Sequence, residues 1–111
     1  MRLGGQVEFE ARIGSVPELV NEMCGHKLVR FVIAVTEKYI NNNVYSQHTH
    51  WYTVNALGDT ADTILKSNMR ICDTICISGN WLIDELSNNY EILARSISDV
   101  SKIMEKKFNV A

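Results

Sequence analysis

The chain has 111 residues, of which 46% are hydrophobic and 22% charged, with six Gly and one Pro. This composition fits one globular domain and excludes the disordered, collagen-like and disulfide-rich classes. No apolar run approaches the ~20 residues that a membrane span needs, so no membrane association is expected. The formal net charge of −2 does not favour nucleic-acid binding through overall charge, because domains that bind phosphate in this way are usually basic. Any such binding must come from local placement of side chains.

The N-terminal residues contain neither an apolar nor an Arg-rich targeting segment, which favours a cytoplasmic location. The three cysteines are not spaced as Cys-x-x-Cys, so we expect free thiols rather than a disulfide framework or a zinc knuckle. They are Cys24, Cys72 and Cys76.

Two histidines, His48 and His50, share one face of a predicted strand, and His26 is a conceivable third ligand. Polar decoration of the strand is the favoured interpretation, since zinc needs at least three ligands and no acidic residue or cysteine adjoins the pair. Neighbouring carboxylates such as Asp84 and Glu85 in a turn usually diverge into solvent, and no nucleotide-binding or hydrolase fingerprint occurs. We therefore expect no metal, no cofactor and no enzymatic activity.

The first half of the chain predicts two strands. Residues 6–13 alternate apolar and polar side chains, as in a half-buried strand, and the segment Gly14-Ser15-Val16-Pro17 ends it. A loop is expected from there to about His26. Residues 28–39 are rich in Val, Ile and Phe and predict a long central strand, followed by a turn at residues 41–43.

The second half predicts three strands and one helix. Residues 49–57 form the third strand, with Tyr52, Val54 and Ala56 facing the core and the alternate residues, including Trp51 and Asn55, forming a working surface. A helix follows, opening at residues 58–60 and ending near residues 66–68, and strands are expected at 74–79 and 90–97. Three strands, a helix and two strands is the order of a five-stranded OB-fold barrel, so we predict an all-β fold with one short helix. Residues 1–100 would form the domain and residues 101–111 a short amphipathic helix or a frayed tail.

Five segments in this order resemble the bacterial and mitochondrial single-stranded DNA-binding protein family. They are Ala11-Arg12-Ile13-Gly14-Ser15-Val16-Pro17-Glu18, the strand Val29-Arg30-Phe31-Val32-Ile33-Ala34-Val35, the strand Thr49-His50-Trp51-Tyr52-Thr53-Val54-Asn55-Ala56-Leu57-Gly58, the helix at residues 61–66, and Ile75-Cys76-Ile77-Ser78-Gly79. The resemblance covers most of the chain and implies an OB-fold that binds single-stranded DNA.

The resemblance also implies which aromatic side chains stack on bases. It carries over Trp51 directly and Tyr39 in place of a tryptophan, whereas Leu57 stands where the family has a Phe. The family's later tryptophan falls near Leu86. Trp81, just past the fourth predicted strand, either compensates as a stacking ring or packs in the barrel or an interface.

The charged residues depart from the family. Asp59 follows Gly58 where relatives often have Lys, and Asp84-Glu85 replaces a basic hairpin, so both changes repel phosphate. Few phosphate contacts and a shallow salt dependence are therefore expected. The candidates for these contacts are Lys38, Lys66, Arg70, Lys27 and Arg30.

The predicted function is sequence-tolerant binding of single-stranded DNA in replication, recombination and repair. The resemblance implies a homo-oligomer, a tetramer or a dimer, and replication proteins as possible partners. It implies a nucleoid-associated location, or the host cytoplasm if a phage encodes the chain. The family's acidic C-terminal tip has no counterpart at residues 101–111, so either the tip lies outside this sequence or the chain is a divergent relative. Two alternatives stay open: an OB-fold protein-interaction module like primosomal replication protein B, and single-stranded RNA binding.

Overall fold

The computed structural model of the chain describes residues 1–23 and 26–100. Within them six strands and one helix follow one another along the chain. They are β1 (Arg2–Ile13), β2 (Glu18–Met23), β3 (His26–Asn41), β4 (Val44–Leu57), α1 (Gly58–Lys66), β5 (Thr74–Asp84) and β6 (Asn89–Asp99). The expected C-terminal tail at residues 101–111 lies outside the described residues.

Five of the strands close into a barrel. The hydrogen-bonded order is β1-β5-β6-β4-β3, and a short pairing of β1 with β3 at Arg12 and Ile13 closes the ring. All pairings are antiparallel except that of β4 with β6, so the barrel is mixed. One short helix and a closed five-stranded mixed barrel confirm the predicted OB-fold.

The sixth strand corrects the predicted loop between Pro17 and His26. β2 pairs with β3 from Glu18 against Arg30 to Met23 against His26, on the edge of β3 that β1 occupies further along. β1 and β2 therefore succeed each other along one edge, separated by the Gly14–Pro17 break. Leu19 and Val20 both stay exposed at this sheet edge, so the segment shows no alternation that would have revealed a strand.

The barrel interior is apolar and comes from alternate strand positions. Val29, Phe31, Ile33 and Val35 of β3 are at most 6% exposed, and equivalent positions of the other strands complete the core. Helix α1 adds Ala61 and Ile64 to it. The predicted face of β4 that carries Tyr52, Val54 and Ala56 is confirmed, since these residues point inward.

A glycine in β5 marks a bulge in the barrel wall. The pairing of β5 with β6 shifts register between Ser78 and Gly79. A Cβ atom at Gly79 would lie 2.0 Å from the carbonyl oxygen of Leu93, so no larger residue fits there. The bulge lets the two strands bend together around the barrel.

The strands extend beyond their predicted ends. β4 begins at Val44 rather than Thr49, and β3 runs to Asn41, so a two-stranded hairpin projects from the barrel. Its residues 36–41 and 44–49 pair only with each other within the described part of the chain. β5 continues to Asp84, which places Trp81 inside a strand instead of after it.

Candidate nucleic-acid interface

The register of β3 with β4 shows which residues lie on each of the two faces of the hairpin. Trp51 pairs with Ala34 and Tyr39 pairs with Ser46, without a register shift between them. Tyr39 lies five positions after Ala34, an odd number, and strand side chains alternate, so Trp51 and Tyr39 lie on opposite faces. We call these the Trp51 face, which is the outer surface of the barrel wall, and the Tyr39 face, which continues the inner surface beyond the barrel mouth.

Trp51 is presented for contact. Its side chain is 63% exposed although it lies in the middle of a paired strand. The ring packs against Gly14, because a Cβ atom at Gly14 would lie 2.7 Å from the Cζ3 atom of Trp51. Glycine directly after β1 therefore leaves room for the indole close to the backbone.

A groove of about 530 Å³ lies next to Ala34, the cross-strand partner of Trp51, and is lined by residues of β1, β3, β4 and β5. Trp51 of β4 lies opposite Ala34 of β3, and Ala34 in turn lies opposite Arg12 of β1. Further out, the hydroxyl groups of Thr36 and Thr49 are 3.3 Å apart. The groove is lined by Glu10, Ala11, Arg12, Ala34, Thr36, Lys38, Gln47 and Thr74.

The side chains that line this groove carry a net positive charge, which suits an anionic ligand. Arg12 and Lys38 supply two cations against the single carboxylate of Glu10, and no ion pair engages either cation within the described residues. Sequence reasoning missed Arg12 as a candidate. Its signal was available, because Arg12 alternates with the buried Ala11 and Ile13.

Two other predicted phosphate contacts are neutralised within the protein. Lys27 Nζ lies 3.0 Å from Asp62 Oδ1, and Arg30 Nη2 lies 3.1 Å from Glu91 Oε1. Asn55 also donates its amide to Glu91 Oε1, at 2.8 Å. The structure corrects the expectation that Asn55 belongs to an open working surface, since it is buried and hydrogen-bonded between β4 and β6.

The remaining predicted residues of the barrel surface lie away from this groove. Leu57 is exposed at the end of β4, six residues from Trp51 on the same face. Lys66 ends α1, and Arg70 borders a separate depression with Val16, Asn68 and Met69. None of these three lines the groove beside Trp51.

Tyr39 is held by polar neighbours on its own face. Its hydroxyl donates a hydrogen bond to Glu37, and this contact raises the pKa of Tyr39 above its ordinary value. His48 packs edge-on against the Tyr39 ring at 5.4 Å, and His50 Nε2 lies 3.6 Å from Glu37 Oε2. In the part of the chain that the structure describes, no three His, Cys, Asp or Glu side chains are grouped so that they could hold a metal ion. His26 therefore does not complete a site with His48 and His50.

Trp81 belongs to an aromatic cluster at the barrel mouth. Its ring meets Tyr52 at 5.2 Å, Phe9 at 5.9 Å and Tyr90 at 6.1 Å, in each case edge to face. Packing of this kind contributes to stability whatever else the ring does. Trp81 is partly buried against the core, which leaves Trp51 as the more accessible of the two tryptophans.

The turn between β5 and β6 carries negative charge, as its sequence predicts. Hydrogen bonds from Ser87 and from the Leu86 backbone lower the pKa of Asp84. Glu85 forms an ion pair with Arg2 at the start of β1. This turn is therefore a poor contact for phosphate.

The closed barrel with its capping helix defines the OB-fold class, and solved structures of that class match it. No family model matches the sequence, and no curated protein does. The small single-stranded DNA-binding protein from Streptomyces coelicolor superposes with a TM-score of 0.69 over 89% of this chain and 95% of its own, at 21% identity. The second single-stranded DNA-binding protein of Mycobacterium smegmatis gives 0.69 over 89% and 92%, at 17% identity.

A third solved structure, the protein PriB from Ralstonia solanacearum, gives a TM-score of 0.65 over 85% of this chain and 95% of its own, at 8% identity. These likenesses confirm the resemblance seen in the sequence at the level of the fold. No helix of the described residues is long and apolar enough to cross a membrane.

Proposed function

We propose that this chain binds single-stranded DNA without sequence preference, on the Trp51 face. The observation that carries the proposal is the exposed indole of Trp51, which packs against Gly14 beside a groove with two cations, Arg12 and Lys38, that form no ion pair among the described residues. Every base has a π face, so stacking on such a ring tolerates any sequence and contributes about 1–3 kcal/mol per base. Two proteins named for binding single-stranded DNA share the fold, which supports the proposal.

Electrostatics sets the strength of this binding. With Lys27 and Arg30 engaged by carboxylates, Arg12 and Lys38 are the basic residues closest to a strand on Trp51. Two phosphate contacts give a slope of about −1.4 in log K against log salt, since each contributes about −0.7 for a single strand. Lys66 and Arg70 would act only if the DNA continued past the helix.

An oligomer would recover affinity through several linked sites. The second edge of β1, from Arg2 to Glu10, carries no strand partner among the described residues. An unpaired edge of this length is a natural place for a second copy to add its own β1. We therefore propose a dimer or a tetramer, with replication proteins as further partners and a cytoplasmic, nucleoid-associated location or, for a phage chain, the host cytoplasm.

A protein-interaction module is the second candidate function. Two observations favour it: carboxylates neutralise Lys27 and Arg30 within the protein, and the β5–β6 turn is acidic. Single-stranded RNA is a further possible ligand of the same groove, because a stacking ring does not distinguish ribose from deoxyribose.

Fluorescence anisotropy with labelled oligo-dT, oligo-rU and duplex DNA of one length tests these functions. The proposal expects saturable binding of oligo-dT, weaker binding of the duplex, and a loss of about fivefold or more in Trp51→Ala. Equal binding of oligo-rU would extend the ligand class to RNA. Failure to bind any of the three at low salt would contradict the proposal and leave the interaction module.

A further inference from the structure

We infer that the bound strand leaves Trp51 outward along the projecting hairpin and stacks a second base on Tyr45, rather than following β4 toward Leu57. The inference rests on the proposed function, because it assigns a direction and a second contact to the same site.

Tyr45 is the first observation. It precedes Trp51 by six positions on β4, an even number, so both side chains lie on the Trp51 face. The ring of Tyr45 is 77% exposed and touches no other aromatic ring among the described residues. Sequence reasoning missed it because the strand was expected to begin only at Thr49.

The reach of the hairpin is the second observation. At about 3.3 Å per residue, Tyr45 and Trp51 are about 20 Å apart along the strand. A single strand of the roughly 4–16 nucleotides that one OB domain covers is long enough to contact both rings. Residues 36–41 and 44–49 pair only with each other in the described chain, so a ligand meets no neighbouring strand on this path.

Charge selects the direction. Toward Tyr45, Lys38 pairs with Gln47 across the hairpin, and it is the one charged side chain of residues 36–49 on the Trp51 face. Toward Leu57, Arg30 is paired with Glu91, and Asp59 follows in the first turn of α1. In the first direction phosphate therefore gains the cation of Lys38, which forms no ion pair in the part of the chain that the structure describes, and in the second it meets carboxylates.

Anisotropy titrations with labelled oligo-dT of about 12 nucleotides test the direction, using the full chain and single variants. Tyr45→Ala should weaken binding about fivefold or more, and Lys38→Gln about threefold. Leu57→Ala should change the affinity less than twofold. Val44→Ala is the matched control, because Val44 is exposed at the same hairpin tip on the opposite face, and it should match the unmodified chain.

The outcomes separate this inference from the function itself. If the unmodified chain binds oligo-dT and Tyr45→Ala binds equally well, the second stacking contact is wrong. A loss with Leu57→Ala as large as that with Tyr45→Ala would overturn the direction. Absence of oligo-dT binding by the unmodified chain would instead reject the proposed function. Thermal melts of the variants should coincide, since Tyr45 and Val44 are both exposed.

Discussion

The indole of Trp51 rests on the backbone of Gly14, at the point where β1 gives way to the break before β2. The contact joins residues 37 positions apart, and it leaves the Trp51 side chain 63% exposed on the barrel wall. A Cβ atom at Gly14 would stand 2.7 Å from Trp51 Cζ3 and 3.2 Å from the carbonyl oxygen of Val32.

Gly14→Ala should therefore displace the indole while leaving the barrel closed. We expect the affinity for oligo-dT to fall by about 1 kcal/mol, at the lower end of the contribution of one stacked base. Gly5→Ala is the matched control, because a Cβ atom there meets nothing within 4 Å. Equal affinities of the two variants for oligo-dT, measured by anisotropy, would show that the contact between Trp51 and Gly14 does not matter for binding.

Removing the negative charge beside Arg30 should strengthen DNA binding. Glu91→Gln keeps an oxygen that can accept the hydrogen bond from the Asn55 amide. It removes the carboxylate charge that now lies 3.1 Å from the Arg30 guanidinium. We expect about a twofold to fivefold gain in oligo-dT affinity at low salt, and a salt slope steeper by about 0.7 if Arg30 then contacts a phosphate.

The double variant Arg30→Gln with Glu91→Gln is the control, because it removes the pair without changing the net charge. It should bind like the unmodified chain. A large loss of affinity in this double variant would mean that Arg30 already contacts the DNA.

The fold was largely predictable because the barrel strands carry the alternation of half-buried sheet. Val7, Phe9, Ala11 and Ile13 of β1 all contribute to the core, as their spacing indicates. The start of β4 was not predictable in this way. Its residues 44–49 lie in a two-stranded hairpin off the barrel, where neither face is buried and no apolar period arises.

The site was predictable only in part. The exposed position of Trp51 was predictable from the two unlike faces of its strand, whereas its role as a stacking ring was implied by the family resemblance and stays a prediction. The neutralisation of Arg30 did not, because Glu91 lies 61 residues away and meets it only through the parallel pairing of β4 with β6. The separation of Tyr39 from Trp51 onto opposite faces likewise depends on the register of β3 with β4.

The hydrogen bond from Tyr39 to Glu37 should appear in an alkaline titration. It favours the neutral phenol, so the Tyr39 pKa lies above the ordinary value of about 10. The stabilisation is complete below the unfolded-state pKa and is lost as the pH rises through the raised folded-state pKa. The ultraviolet difference between the unmodified chain and Tyr39→Phe isolates this group.

Glu37→Gln should move that pKa back toward the ordinary value. A Tyr39 pKa that is unchanged by Glu37→Gln would mean that the carboxylate is not the cause of the shift. The same two variants report whether the Tyr39 face takes part in DNA binding, since neither alters Trp51 directly.

The central claim is that Trp51 stacks on single-stranded DNA, and the fluorescence of Trp51 alone tests it most directly. The chain has two tryptophans, so Trp81→Phe leaves Trp51 as the single reporter and keeps an aromatic ring in the barrel-mouth cluster. Titration with oligo-dT at low salt should quench this emission to saturation, and duplex DNA should not. Saturable binding of oligo-dT, followed by anisotropy in the same samples, with no change in Trp51 emission would contradict the stacking account.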